Sequence, residues 1–205
     1  MEERKEKSFK NKRELIDAAI KEFSERGYET ASLNNILKEA QISKGTFYYH
    51  FTNKEDLYFY LIDILIEEKK KFFGTNFDPD IYQKNIFDLL KFLTHKGIQF
   101  AQNHPHITKF SASYIKERGN EIYEKALKKY NYQDNDFVNF IVENAYSRGE
   151  LREDLSIDFI KNLIGYMFTH IVEIANIVDI DDVHEAATNL IDFMKNGLAK
   201  REKFI

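Results

Sequence analysis

Leu15, Ile16, Ala19, Ile20 and Phe23 recur three and four residues apart, with Lys21, Glu22 and Glu25 between them. That spacing draws one apolar stripe along a helix. Arg26 and Gly27 then supply a cation at the negative end of the dipole and a residue free to take positive φ, so the helix is predicted to stop there. Ser32 is placed to cap a second, brief helix whose inner face is Leu33, Ile36, Leu37 and Ala40; Asn35 stands where a full capping box has Glu or Gln. Gln41, Ile42 and Ser43 separate it from a third helix, Lys44 to Phe51, and two short helices across such a turn have helix-turn-helix spacing. Leu57, Leu61, Ile64 and Leu65 open a longer helix that runs through Lys71 and meets the turn formers Gly74, Asn76, Asp78 and Pro79.

The helical period continues over residues 81–103, 105–117, 119–131, 135–148, 157–178 and 182–200, with Pro105 suited to a first helical turn and Gly119 and Gly149 at junctions. From Phe159 to Val178 apolar residues fall on more than one face, which predicts a helix buried on two sides. Val183, Ala187, Leu190, Met194 and Leu198 form a single stripe in the last helix. The predicted class is all-α: a three-helix helix-turn-helix domain over 1–55, joined by a long helix to a helical domain over 56–205.

Composition narrows this picture. Two prolines and eight glycines are too few for the frequent turns of a sandwich or barrel, and the lack of cysteine excludes disulfides and thiolate chemistry. The longest stretch without a charged residue, Gly97 to Thr108, is mostly polar, and the N-terminus has no apolar stretch of the secretory kind. The expectation is a cytoplasmic protein that does not enter membranes. The net charge of −4 conceals an uneven distribution, +1 over residues 1–55 and −5 over the rest. No general basic excess announces a nucleic-acid partner, so such a claim rests on where individual charges stand.

The third helix provides that placement. Phe47 and Phe51 lie four apart and point inward, leaving Lys44, Thr46, Tyr48, Tyr49 and His50 outside. Lysine donates to guanine or phosphate, threonine meets a thymine methyl or donates a hydrogen bond, and tyrosine hydroxyls reach phosphates. Gly45 permits close backbone approach at a helix N-terminus, where free amides attract phosphate. The same spacing fits an ordinary helical hairpin with a solvated aromatic face, although two adjacent exposed tyrosines argue for contact with something.

Residues 12–57 resemble the N-terminal DNA-binding domain of the TetR family of transcriptional regulators. The likeness is carried by Ala18-Ala19, Phe23, Gly27-Tyr28, Thr30, Ser32, Ile36, Ala40, the run Ile42 to Phe51, and Asn53 to Leu57. It is long and ungapped, covering about a quarter of the chain; the remainder resembles the family in length, helical pattern and the closing Gly197-Leu198. The resemblance implies that Ser43 to His50 is the recognition helix with its cap, that Tyr48 and Lys54 anchor phosphates, and that Ser32 contacts the DNA backbone. Most members carry Gly where this chain has Gln41, which is expected at or near positive φ.

The resemblance further implies a C-terminal region that binds a small molecule and forms homodimers. The two-sided helix from Phe159 and the striped helix ending near Leu198 suit half of a four-helix interface across a two-fold axis. Phe110, Tyr114, Phe137, Phe140, Tyr166 and His170 are candidate walls of an apolar cavity, with Tyr166 and His170, four apart, as its polar contacts; each also fits plain core packing. His170 with Glu173, or Asp181 with His184, offers only two metal ligands, and no catalytic motif is found. The expected function is a ligand-responsive regulator, most naturally a repressor, that binds double-stranded operator DNA as a homodimer with no cofactor, no metal and no enzymatic activity. A metal sensor, or a helical interaction protein without DNA function, is the alternative.

Overall fold

A computed structural model of the protein describes residues 11–74, 81, 83–130, 136–177 and 182–200. The expected turn at 74–80 therefore lies mostly outside the described residues, as does Asp181. Among the described residues the fold is all-α. Its helices are α1 (Lys12–Thr30), α2 (Leu33–Glu39), α3 (Lys44–His50), α4 (Lys54–Gly74), α5 (Ile86–Asn103), α6 (Pro105–Lys116), α7 (Glu121–Tyr130), α8 (Asp136–Ser147), α9 (Ile157–Thr169), α10 (Ile171–Ile174) and α11 (Val183–Leu198). A lone antiparallel bridge joins Leu151 to Ala199.

The chain packs as two compact units, with boundaries at 72/73, 100/101 and 131/132. The first holds α1–α3, most of α4, α6 and α7 around Leu15, Phe23, Ile36, Phe47, Leu57, Tyr58 and Phe110. The second holds most of α5 with α8–α11 around Phe87, Leu89, Val142, Ile160, Ile164 and Ile191. Within the first unit α6 lies along α1, and the Ser113 hydroxyl donates to the Phe23 carbonyl at 2.9 Å. α6 thus belongs to the same packed body as the helix-turn-helix.

Gly27 does interrupt α1, with φ 70 and ψ 172, but one more turn follows to Thr30, whose hydroxyl donates back to the Arg26 carbonyl at 2.6 Å. Pro105 opens α6, and Gly119 and Gly149 stand at junctions with positive φ. The single helix expected over 157–178 is broken instead. At His170 the backbone turns to φ −108, ψ 21, and Asn176 ends α10 with φ 48. Thr169 donates its hydroxyl to the Gly165 carbonyl at 2.8 Å, a local bond of the type that bends helices.

α2 ends in a Schellman motif, in which the Gln41 amide donates to the Lys38 carbonyl at 3.2 Å and the Ile42 amide to the Leu37 carbonyl at 3.0 Å. Gln41 occupies the left-handed position with φ 54. A Cβ is disfavoured there by about 1 kcal/mol, so Gln41→Gly should stabilise the protein by about that amount in urea denaturation. A destabilised variant would show that the Gln41 side chain repays its own strain.

Candidate nucleic-acid interface

α3 is seated by its caps and its aromatic underside. Ser43 is extended, and its hydroxyl accepts the Thr46 amide at 3.1 Å and shares a 2.9 Å hydrogen bond with the Thr46 hydroxyl. Phe47 is fully buried and stacks on Phe51 with ring centroids 5.4 Å apart. With that face turned inward, helical geometry turns Lys44, Tyr48 and Tyr49 out, the two tyrosines 57% and 68% exposed. The Tyr48 ring leans edge-on against Phe47, and the His50 ring, half-buried, meets Tyr49 edge-on. A Cβ added at Gly45 would find only the Ser43 hydroxyl, at 3.8 Å, so that face of the turn stands open.

α2 is held at the matching end. The Ser32 hydroxyl accepts the Asn35 amide at 3.4 Å, the cap expected of it. Two residues escaped the sequence reasoning. Glu22, on the buried side of α1, accepts from the Ser32 amide at 2.9 Å and from Asn35 Nδ2 at 3.3 Å, and pairs with Arg26 at 3.3 Å. Glu117, in the bend after α6, accepts the Tyr28 amide at 2.7 Å and Asn120 Nδ2 at 2.6 Å. The only advance signal for Glu22 was the i,i+4 pairing with Arg26; for Glu117 there was none.

Lys54 sits elsewhere than a residue expected only at the DNA surface. Half-buried, its ammonium donates to the carbonyls of Tyr28, Glu29 and Ala31 at 2.7, 3.2 and 3.1 Å. It also lies 4.5 Å from the centre of the Tyr28 ring. Burial pushes the Tyr28 phenol above its ordinary pKa, with the Glu55 charge adding to the effect. Burial, then the nearby Glu117, does the same to Tyr58, so both phenols stay neutral at physiological pH.

The residues expected to wall a ligand cavity are divided. Phe110 and Tyr114 pack in the core of the first unit, where Tyr114 faces Tyr123 at 5.0 Å. Phe140 and Tyr166 are exposed on the second unit, and His170 lies against the Tyr166 ring at 4.2 Å. The side chain of Phe137 lies outside the described residues. An open cleft of about 450 Å³ in the second unit is lined instead by residues of α10, α11 and the turn between them, among them Ile171, Ile174, Asn176, Glu185 and Leu190. Among the described residues no cluster of three metal-ligating side chains forms, and no helix is long and apolar enough to cross a membrane.

Residues 15–61 match the family described as "Bacterial regulatory proteins, tetR family". The negative regulator of the biofilm operon icaADBC from Staphylococcus epidermidis is 28% identical over 166 residues, covering 71% of this chain and 88% of that protein. The A-factor receptor protein of Streptomyces griseus is 44% identical over 43 residues, 21% of this chain and 16% of that protein, and other curated relatives are matched over about half their length. A TetR family transcriptional regulator from Chloroflexus aurantiacus has the same fold, with a TM-score of 0.74, 24% identity, and coverage of 93% of this chain and 94% of that one.

Proposed function

We propose, for a chain that is a TetR-family transcriptional regulator, that it represses transcription by binding an inverted-repeat operator as a homodimer and leaves it on binding a small molecule. The observation that carries the DNA-binding part is α3: Lys44, Tyr48 and Tyr49 presented outward from a short helix capped by Ser43 and seated on buried Phe47. DNA contact is assigned to residues 1–55 and the effector and dimer roles to 56–205. Repression is favoured by the Staphylococcus epidermidis relative, which is a negative regulator. The effector role is supported by the fold and by exposed apolar groups on the second unit. Of the candidate residues, Tyr166 and His170 remain neighbours, and an apolar or aromatic molecule suits them best.

Selection of duplexes from a random-sequence library by the purified protein tests this reading. A symmetric dimer should recover inverted half-sites centred about one helical turn or slightly more apart. On the recovered duplex, Tyr48→Phe should weaken all sequences alike, whereas Lys44→Ala should relax preference at one or two base pairs per half-site, by about 1–3 kcal/mol of discrimination. Recovery of no inverted repeat would overturn the regulator reading.

A further inference from the structure

Lys54 and Glu117 hold opposite sides of the same residue. Gly27 takes the chain out of helical geometry, and the Tyr28 amide that follows is accepted by Glu117, a carboxylate only 6% exposed. The approach is close: a Cβ at Gly27 would stand 2.8 Å from Glu117 Oε1, so both the positive φ and the contact require glycine. On the other side, the Tyr28 carbonyl is the nearest of three taken by Lys54. An ammonium has three donors, and here each has an acceptor among carbonyls that the end of α1 leaves unpaired. The cation also stands at the negative end of the helix dipole and over the Tyr28 ring.

We propose that Lys54 serves DNA binding from behind, as a positioning residue that with Glu117 clamps the end of α1, and that it is not a phosphate ligand. The inference rests on the DNA-binding reading above. To reach a phosphate, the ammonium would have to abandon three carbonyls and an aromatic face. Lys54 opens α4, Glu117 follows α6, and Ala31 leads directly into the Ser32 cap of α2. Fixing Tyr28 to Ala31 therefore fixes the point from which the helix-turn-helix departs. Arginine could replace lysine at a phosphate, but its planar fork spreads its donors and cannot converge them on three carbonyls around one nitrogen.

The test uses the full chain and the duplex recovered by selection. Lys54→Met keeps the apolar stem, and its operator affinity should fall at least tenfold while circular dichroism shows it folded at the assay temperature. The slope of log affinity against log salt should stay at the wild-type value. Lys54→Arg should be as weak as Lys54→Met. Glu117→Gln, which keeps an acceptor for the Tyr28 amide, should bind within about threefold of wild type, and Glu117→Ala should lose at least tenfold. A slope shallower by about 2, one phosphate per protomer, together with recovery by Lys54→Arg, would overturn the proposal in favour of direct contact. Wild-type affinity in Glu117→Ala would overturn the clamp. If the wild type selects no duplex, the regulator reading has failed, and the clamp is read by hydrogen exchange: the Tyr28 amide should exchange at least a hundredfold faster in Glu117→Ala, and unchanged exchange would overturn it.

Discussion

Phe47→Ala should destabilise the protein by about 3–5 kcal/mol and abolish operator binding at temperatures where the wild type binds fully. Phe47 has no exposed surface, stacks on Phe51, supports the Tyr48 ring, and belongs to the same core as Phe23, Leu57 and Tyr58. Truncation removes a ring from under a helix of seven residues, too short to persist without packing. Against a typical total stability of about 5–15 kcal/mol, a change of this size is a large fraction of the whole. Tyr49→Ala, at an exposed position on the same helix, should alter stability by no more than about 0.5 kcal/mol while still weakening DNA binding. Urea denaturation and operator titration of both variants separate the seat of the helix from its reading face. A Phe47→Ala protein that lost less than about 1 kcal/mol would show that α3 is held by its caps and not by its underside.

The features legible in the sequence were those whose causes are local. A 3.6-residue period marks α1 to α4 because each helix has a wet side and a dry side, and the Ser32 and Ser43 caps follow from a hydroxyl placed before an apolar turn. The expected conformation of Gln41 is found, at the left-handed position of the motif that ends α2. Interactions set by distant residues were not legible. Glu22 and Glu117 look like solvated charges along the chain, and only the folded backbone brings the amides of Ser32 and Tyr28 to them. Lys54 was assigned by its neighbours in sequence, whereas its ammonium is occupied by carbonyls 23 to 26 positions earlier.

The aromatic candidates show a different limit. Periodicity says which face of a helix is apolar, not what that face meets. Phe110 meets Tyr58 inside the first unit, with ring centroids 5.3 Å apart, while Phe140 and Tyr166 stand exposed on the second. The break at His170 was hidden for a related reason, because a run of Ile, Val and Ala keeps its apolar character whether the helix continues or bends. The Thr169 hydroxyl turned back on the Gly165 carbonyl accompanies the break, and that choice of rotamer is one composition does not reveal.

Exposed aromatic surface on the second unit sets the last expectation. Phe193 on α11 is 66% exposed and Phe159, in the first turn of α9, is 51% exposed. Gly197, one turn after Phe193, has nothing within 4 Å of an added Cβ, leaving room there for another backbone. We propose this surface as the homodimer contact. Leu190, which the stripe of the last helix also offered, is only 8% exposed and packs in the core of its own unit, so a charge there would unfold the protomer before it reported on an interface. Phe193→Glu and Phe159→Glu avoid that confusion, since both side chains already face solvent in the isolated chain. Each appears twice across a two-fold axis, and at about 2 kcal/mol per buried aromatic the dimer should weaken by about 4 kcal/mol, roughly a thousandfold in its dissociation constant. Light scattering should find the wild type near twice 24.3 kDa and the variants near 24.3 kDa at micromolar concentration, with unchanged helical circular dichroism. Operator affinity should collapse with them, because a lone protomer engages one half-site and must meet the other as an independent event. Variants that remain dimeric while folded would move the interface off α9 and α11.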